Sequence, residues 1–147
     1  MAEQVFPGTL DSLAPIRDFV AQAAAAAGLD RTASYNLCLA VDEIATNIVT
    51  HGYQAAGLQG DLRVQTAVES GRLVVRVEDH GRAYDPHQHD LPEKEDLSAP
   101  LHERDLGGLG ILLAFQGVDE LRYTAGASGN VHSFAVNLGS QQKRAAR

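Results

Sequence analysis

Glu43, Asn47 and His51 follow one another at intervals of four residues. On an α-helix that interval drifts by only about 40° per step, so the three side chains form one stripe. A carboxylate can take a proton or orient a hydroxyl, and a carboxamide offers a neutral oxygen to a hard cation such as Mg²⁺. Leu37, Val41, Ile44 and Ile48 form a second, apolar stripe roughly 90° around the same helix. The helix can therefore bury one side and carry acid and amide along the edge of that side. Taken alone, the same three residues also fit a solvated helix face.

Two further groups have comparable chemistry. Asp79 follows the apolar run Leu73-Val74-Val75-Arg76-Val77 and precedes His80, Gly81, Arg82, Ala83, Tyr84, Asp85 and Pro86. A strand-end Asp with a glycine two residues on presents a carboxylate beside bare backbone, which suits the amino group of a base. An ordinary Asp-x-Gly turn has the same residues. Gly107-Gly108-Leu109-Gly110 opens a helical stretch, where converging N–H groups at a helix N-terminus would hold a phosphate. It is neither a Walker loop nor a dinucleotide fingerprint, because no Lys-Ser/Thr follows it and no strand leads into it. A glycine hinge without a ligand is the alternative.

The elements that must position these residues can be read from periodicity. Asp11 or Ser12 is a suitable N-cap for a first helix running to Gly28, with Pro15 in its first turn. A second helix runs from Asp30 or Thr32 to about His51, with Gly52 as its stop. The period then falls to two. Leu62, Val64, Thr66 and Val68 alternate with polar residues, Ser70 and Gly71 make a turn, and residues 73–77 complete an antiparallel hairpin. Residues 84–106 have no sustained period, and a loop of that length inside a domain is usually functional. A third helix is expected over 107–117, with strands over 118–123 and 131–138. The order predicts an α+β fold: a two-layer α/β sandwich whose mixed, mostly antiparallel sheet is covered on one face by about three helices. The domain is expected to span 1–138, with 139–147 a flexible tail.

At 147 residues the chain suits one domain rather than two. Twelve Lys and Arg against 19 Asp and Glu leave a net charge of −7, which argues against a nucleic-acid partner. No apolar run reaches the roughly 18 residues needed to span a bilayer. The start, Met1-Ala2-Glu3-Gln4, lacks the positive region of a signal peptide, so a cytoplasmic location is expected. The lone Cys38 excludes an internal disulfide and a multi-cysteine zinc site, and reads as a small buried hydrophobe.

In order and spacing, Glu43, Asn47, His51 and Tyr53, then Asp79, Gly81, Tyr84, Asp85 and Pro86, then Gly107 to Gly110 resemble the N, G1 and G2 boxes of the GHKL ATPases. That superfamily includes gyrase, heat-shock chaperones, histidine kinases and MutL, and its ATP-binding fold is of the Bergerat type. Leu39-Ala-Val-Asp-Glu-Ile-Ala-Thr-Asn47, and Gly107-Gly-Leu-Gly-Ile-Leu-Leu113 followed by Asp119-Glu120, are similar to the stand-alone bacterial anti-sigma-factor serine/threonine kinases. The resemblance runs from about Phe6 to Leu138.

The resemblance implies a role for each matching residue. Glu43 would be the general base or hydroxyl-orienting group. Asn47 would hold the Mg²⁺ that bridges the phosphates of ATP. Asp79 would accept from the adenine amino group, with Gly81 making room for the ring. Gly107, Gly108, Leu109 and Gly110 would cradle phosphate under a lid of residues 87–106. The implied acceptor is a serine or threonine on a STAS-type anti-sigma antagonist, the implied second partner is a sigma factor, and the implied assembly is a homodimer. Two positions depart from the pattern. No basic residue follows the glycines in Ala114-Phe115-Gln116, which makes Arg104 the candidate for γ-phosphate compensation. Ser133 stands for the hydroxyl that assists adenine binding from the last strand, with a solvent-facing strand residue as its alternative. His87, His89, Asp90 and His102 fit a solvated lid better than a metal site, since no partner ligands lie on rigid elements. The missing basic residue favours an alternative function, an ATP-binding module that sequesters partners with little or no kinase activity. A detached histidine-kinase catalytic domain is a third reading, weakened by the absence of a dimerisation helix pair.

Overall fold

The computed structural model describes residues 1–83 and 114–139. Helix α1 (Leu13–Ala27) buries Ile16, Val20 and Ala24 at four-residue intervals and stops at Gly28, whose φ of 83° is left-handed. Ser12 occupies its N-cap, but the Ser12 hydroxyl donates to Pro7 O at 2.6 Å and accepts from no helix N–H. Helix α2 (Arg31–Asn47) starts at Asp30, whose carboxylate accepts from Ala33 N at 2.7 Å. Its buried side contains Leu37, Val41 and Ile44, three of the four residues of the expected apolar stripe.

Gly52 does not stop this helix. From Ile48 to Gln54 it continues as a π-helix in which Ile48, Val49, Gly52 and Tyr53 are buried. Ala55 N donates to Thr50 O and Leu58 N to Tyr53 O, both at 2.9 Å and both across five residues. The wider turn ends the four-residue stripe, so His51 is exposed while Asn47 is buried.

Five strands form one sheet: β1 (Ala2–Pro7), β2 (Asp61–Glu69), β3 (Arg72–Asp79), β4 (Glu120–Gly126) and β5 (Gly129–Asn137), in the order β1-β2-β3-β5-β4. All four pairings are antiparallel, so the described sheet is antiparallel throughout and not mixed. The β2–β3 turn is made by Ser70 (φ 51°) and Gly71 (φ 74°), both left-handed, the geometry that matches the twist of a two-residue hairpin. Strand β1 has no counterpart in the sequence reading. It lies at the sheet edge with only Phe6 buried, so its place comes from the ladder to β2 and leaves no alternation to read.

The helices cover one face, α1 over β2 and β3 and α2 over β5. Leu62, Val64, Leu73, Val75, Val77, Phe134 and Val136 point into that layer and are buried. The opposite face is polar and laced with ion pairs, among them Arg76–Glu69 at 3.0 Å and Arg72–Glu120 at 2.6 Å. Residues 114–117 are helical, which is the end of the expected third helix; its start at Gly107, the loop over 84–106 and the tail beyond Gly139 lie outside the described residues. No helix among the described residues is long and apolar enough to cross a membrane. Ile44 is fully buried on α2. Ile44→Ala is therefore expected to lower unfolding free energy by about 3 kcal/mol in urea denaturation, with the slope unchanged.

Candidate functional site

Strand β3 carries Leu73, Val75, Val77 and Asp79 on its helix-facing side, so the alternation that builds the core delivers a carboxylate at its rim. Asp79 is 2% exposed. Its Oδ1 accepts from Gly81 N at 2.9 Å and from Asn130 Nδ2 at 3.0 Å. Asn130 is the cross-strand partner of Asp79, and the same Nδ2 also donates to Gly81 O at 3.0 Å. Both bonds on the carboxylate land on Oδ1, which leaves Oδ2 as its second acceptor.

The turn after Asp79 is docked onto the extension of α2. Arg82 N donates to Gly52 O at 2.9 Å. A Cβ on Gly81 would lie 2.6 Å from Gly52 O, so any side chain there would force the two backbones apart. Glycine at 81 is thus required by the contact with Gly52. Tyr53, 1% exposed, closes the contact: its hydroxyl donates to Asp61 O at 2.7 Å and accepts from His80 N at 2.9 Å.

Glu43 and Asn47 lie one turn apart on α2. Burial, and after it the neighbouring Asp42, raises the Glu43 carboxyl above the ordinary carboxylate range. Asp42 itself is turned to Arg17 of α1, 2.9 Å away. Asn47 is 6% exposed, and its Nδ2 has no hydrogen-bond partner among the described residues. An unmet donor on a buried amide is uncommon and marks a side chain whose partner lies elsewhere. Among the described residues no group of three His, Cys, Asp or Glu could enclose a metal. The unmet Nδ2 suits an acceptor such as a phosphate oxygen, and the same amide's Oδ1 is the oxygen that could meet a Mg²⁺ completed by phosphates and waters.

The structure thus brings Asp79 and Gly81 onto the same helix extension that continues from Glu43 and Asn47. It does not bring Ser133. That residue alternates onto the opposite, polar face of the sheet, opposite Arg76 and Arg122 in the ladder. The position on β5 that meets Asp79 is Asn130. Asn130 and Tyr53 are the site residues that the sequence reading did not assign. Asn130 had a signal in the Gly129-Asn130 pair at a strand start, and Tyr53 in its place two residues after His51. Gly107, Gly108, Leu109, Gly110 and Arg104 lie outside the described residues.

A family model for the histidine kinase-like ATPase domain matches residues 6–135. No curated protein matches the chain. Among solved structures, the blue-light activated histidine kinase of Erythrobacter litoralis is 26% identical over 78% of this chain and 33% of its own, with a TM-score of 0.56. A separate structure of its histidine kinase domain is 22% identical over 92% of this chain and 64% of its own (TM-score 0.54). The RsbU and RsbW domains of a Mycobacterium tuberculosis protein are 19% identical over 93% of this chain and 32% of theirs (TM-score 0.62), a likeness of fold. The chain thus spans about a third of two of these solved chains and 64% of the other.

The raised Glu43 carboxyl has a consequence for stability. The folded state binds this proton more tightly than the unfolded chain, so the group's contribution is full below the unfolded pKa and is lost as pH rises through the folded one. Glu43→Gln should therefore melt higher than the parent at neutral pH, by about 1–2 °C. The gain should vanish near about pH 4 in scanning calorimetry.

Proposed function

This chain belongs to the histidine kinase-like ATPase domain family, and from that premise we propose that it is an Mg·ATP-dependent serine/threonine protein kinase acting on a STAS-type anti-sigma antagonist. In the same reading it sequesters a sigma factor when the antagonist is phosphorylated, as a homodimer. The ATP-binding module is what family membership gives. The serine/threonine acceptor and the two protein partners are supported by the likeness of Leu39 to Asn47 and of Gly107 to Leu113 to the anti-sigma kinases.

The observation that carries the reading is a buried amide with an unmet Nδ2, one turn beyond a half-buried Glu43, on the helix to which the Asp79 turn is bonded. Asp79 Oδ2 accepts from the adenine amino group. Asn47 would hold the cation through Oδ1 and donate through Nδ2 to a phosphate oxygen. Mg²⁺, when bound, would supply charge neutralisation to the phosphates. Glu43, with its carboxyl raised by burial, orients the acceptor hydroxyl and takes its proton as the oxygen bonds to the γ-phosphorus of ATP, while the bond from that phosphorus to the β,γ-bridging oxygen breaks and ADP leaves with the electron pair. In this reading Gly107 to Gly110 would cradle the phosphates, and Arg104 would supply positive charge. Phosphoryl transfer needs little covalent help, so positioning and charge compensation suffice.

The 26% identity to a histidine kinase favours one second reading, a catalytic domain that phosphorylates histidine. Calorimetry with Mg·ATP tests the pocket: binding is expected, and Asp79→Asn should weaken it at least about tenfold by removing a charge-assisted bond to the base. Labelled Mg·ATP with a STAS-type antagonist should then give an acid-stable phosphoester, and Glu43→Ala should slow that transfer by about 10²–10⁴ while nucleotide binding holds. An acid-labile label on histidine selects the second reading. Partner capture with no transfer, unchanged by Glu43→Ala, selects a sequestering module without chemistry.

A further inference from the structure

We infer that Tyr53 is a positioning residue for the purine, holding Asp79 in register with Asn47 through a hydrogen bond to the peptide between Asp79 and Gly81. The inference rests on the ATP reading of this site and assigns a determinant of its base selectivity.

Tyr53 lies in the π-helical segment that follows Asn47 without a break. Its hydroxyl accepts from His80 N, and His80 is the middle residue of the turn in which Gly81 N bonds the Asp79 carboxylate. One phenol therefore links the helix of the acid and amide to the strand of the base-binding carboxylate. The ring cannot slip. A Cβ on Gly8 would approach it to 2.8 Å, and a Cβ on Gly60 likewise to 2.8 Å, so bare backbone is packed against its edges. The hydroxyl is fixed as well, donating to Asp61 O at 2.7 Å. Burial raises the phenol above its ordinary pKa, so it keeps the proton that this donation needs while accepting from His80 N.

The place of the carboxylate decides which base it takes. Adenine presents an amino donor to an acceptor, whereas guanine presents a carbonyl oxygen at the same ring position, which a carboxylate repels. Discrimination of this kind depends on the acceptor staying where the donor arrives. Releasing His80 N from Tyr53 frees the turn that carries Asp79, and selectivity falls before general binding does. Tyr53 is 1% exposed, so its effect on a base passes through the turn that carries Asp79.

The test is calorimetric titration of the full chain with Mg·ATP and Mg·GTP, comparing parent, Tyr53→Phe and Ile16→Val, with melting temperatures for each. Ile16 is in the core under α1 and serves as the control for lost packing. Tyr53→Phe should weaken ATP about tenfold and leave GTP within about twofold, so the ATP:GTP ratio collapses by that factor. Ile16→Val should melt lower with the ratio intact. If Tyr53→Phe does not fold, Gly60→Ala, which presses a methyl against the ring, should narrow the same ratio. A parent that binds ATP and a Tyr53→Phe protein with an unchanged ratio overturns the inference and leaves the ATP reading standing. A parent that binds neither nucleotide overturns both.

Discussion

The site depends on two backbones that meet with no side chain between them. Gly81, after the last residue of β3, rests against Gly52 in the extension of α2, at a distance that excludes a Cβ. The other fastenings surround that contact. Arg82 N reaches Gly52 O and Tyr53 reaches His80 N where the turn lies on the helix, and Asn130, the ladder partner of Asp79, bonds Asp79 and Gly81 together from the sheet side. A carboxylate on a strand and an acid–amide pair on a helix are thereby held to one frame of rigid elements, which loops alone would not do.

The two acidic residues of this frame are treated in opposite ways. Asp79 is buried among donors, with a backbone N–H and an amide both directed at one oxygen. Glu43 is half-buried, and its first influence is the loss of water, followed by the charge of Asp42. The first arrangement fixes an acceptor in place; the second leaves a carboxyl with heightened affinity for a proton. Separate environments for paired carboxyls are the usual way a site assigns them separate tasks.

Much of this was legible in the chain. The stripe Leu37, Val41, Ile44, Ile48 is buried, the Ser70-Gly71 hairpin turn is where the period-two pattern placed it, and Gly28 ends α1. The fold class follows from those signals, because they report side-chain burial at fixed periods. What periodicity could not show is what main-chain bonding alone decides. Strand β1 has one inward side chain, and the π-helical turn is invisible to a count of threes and fours. Gly52 reads as a stop because glycine often is one, whereas here the helical winding runs on through it and its carbonyl takes the Arg82 N–H. Ser133 lies on the outer face, the solvent-facing alternative of its sequence reading: with a period of two, a shift of one residue on β5 exchanges inward for outward. Asn130, three residues earlier, has the opposite parity and is the one that faces Asp79.

The widened helical turn restricts how this segment can change in length. From Ile48 to Gln54 the hydrogen bonds span one residue more than in an α-helix, and the wider winding aims Tyr53 and Gly52 at the strand end. Deleting any one of them would return the coil to its tighter winding and swing both away together, however mild the deletion looked on paper. Substitution is open to the exposed His51 and Gln54, but loss or gain of a residue is not. The segment therefore behaves as a ruler of set length, in which the spacing matters more than most of the letters it carries.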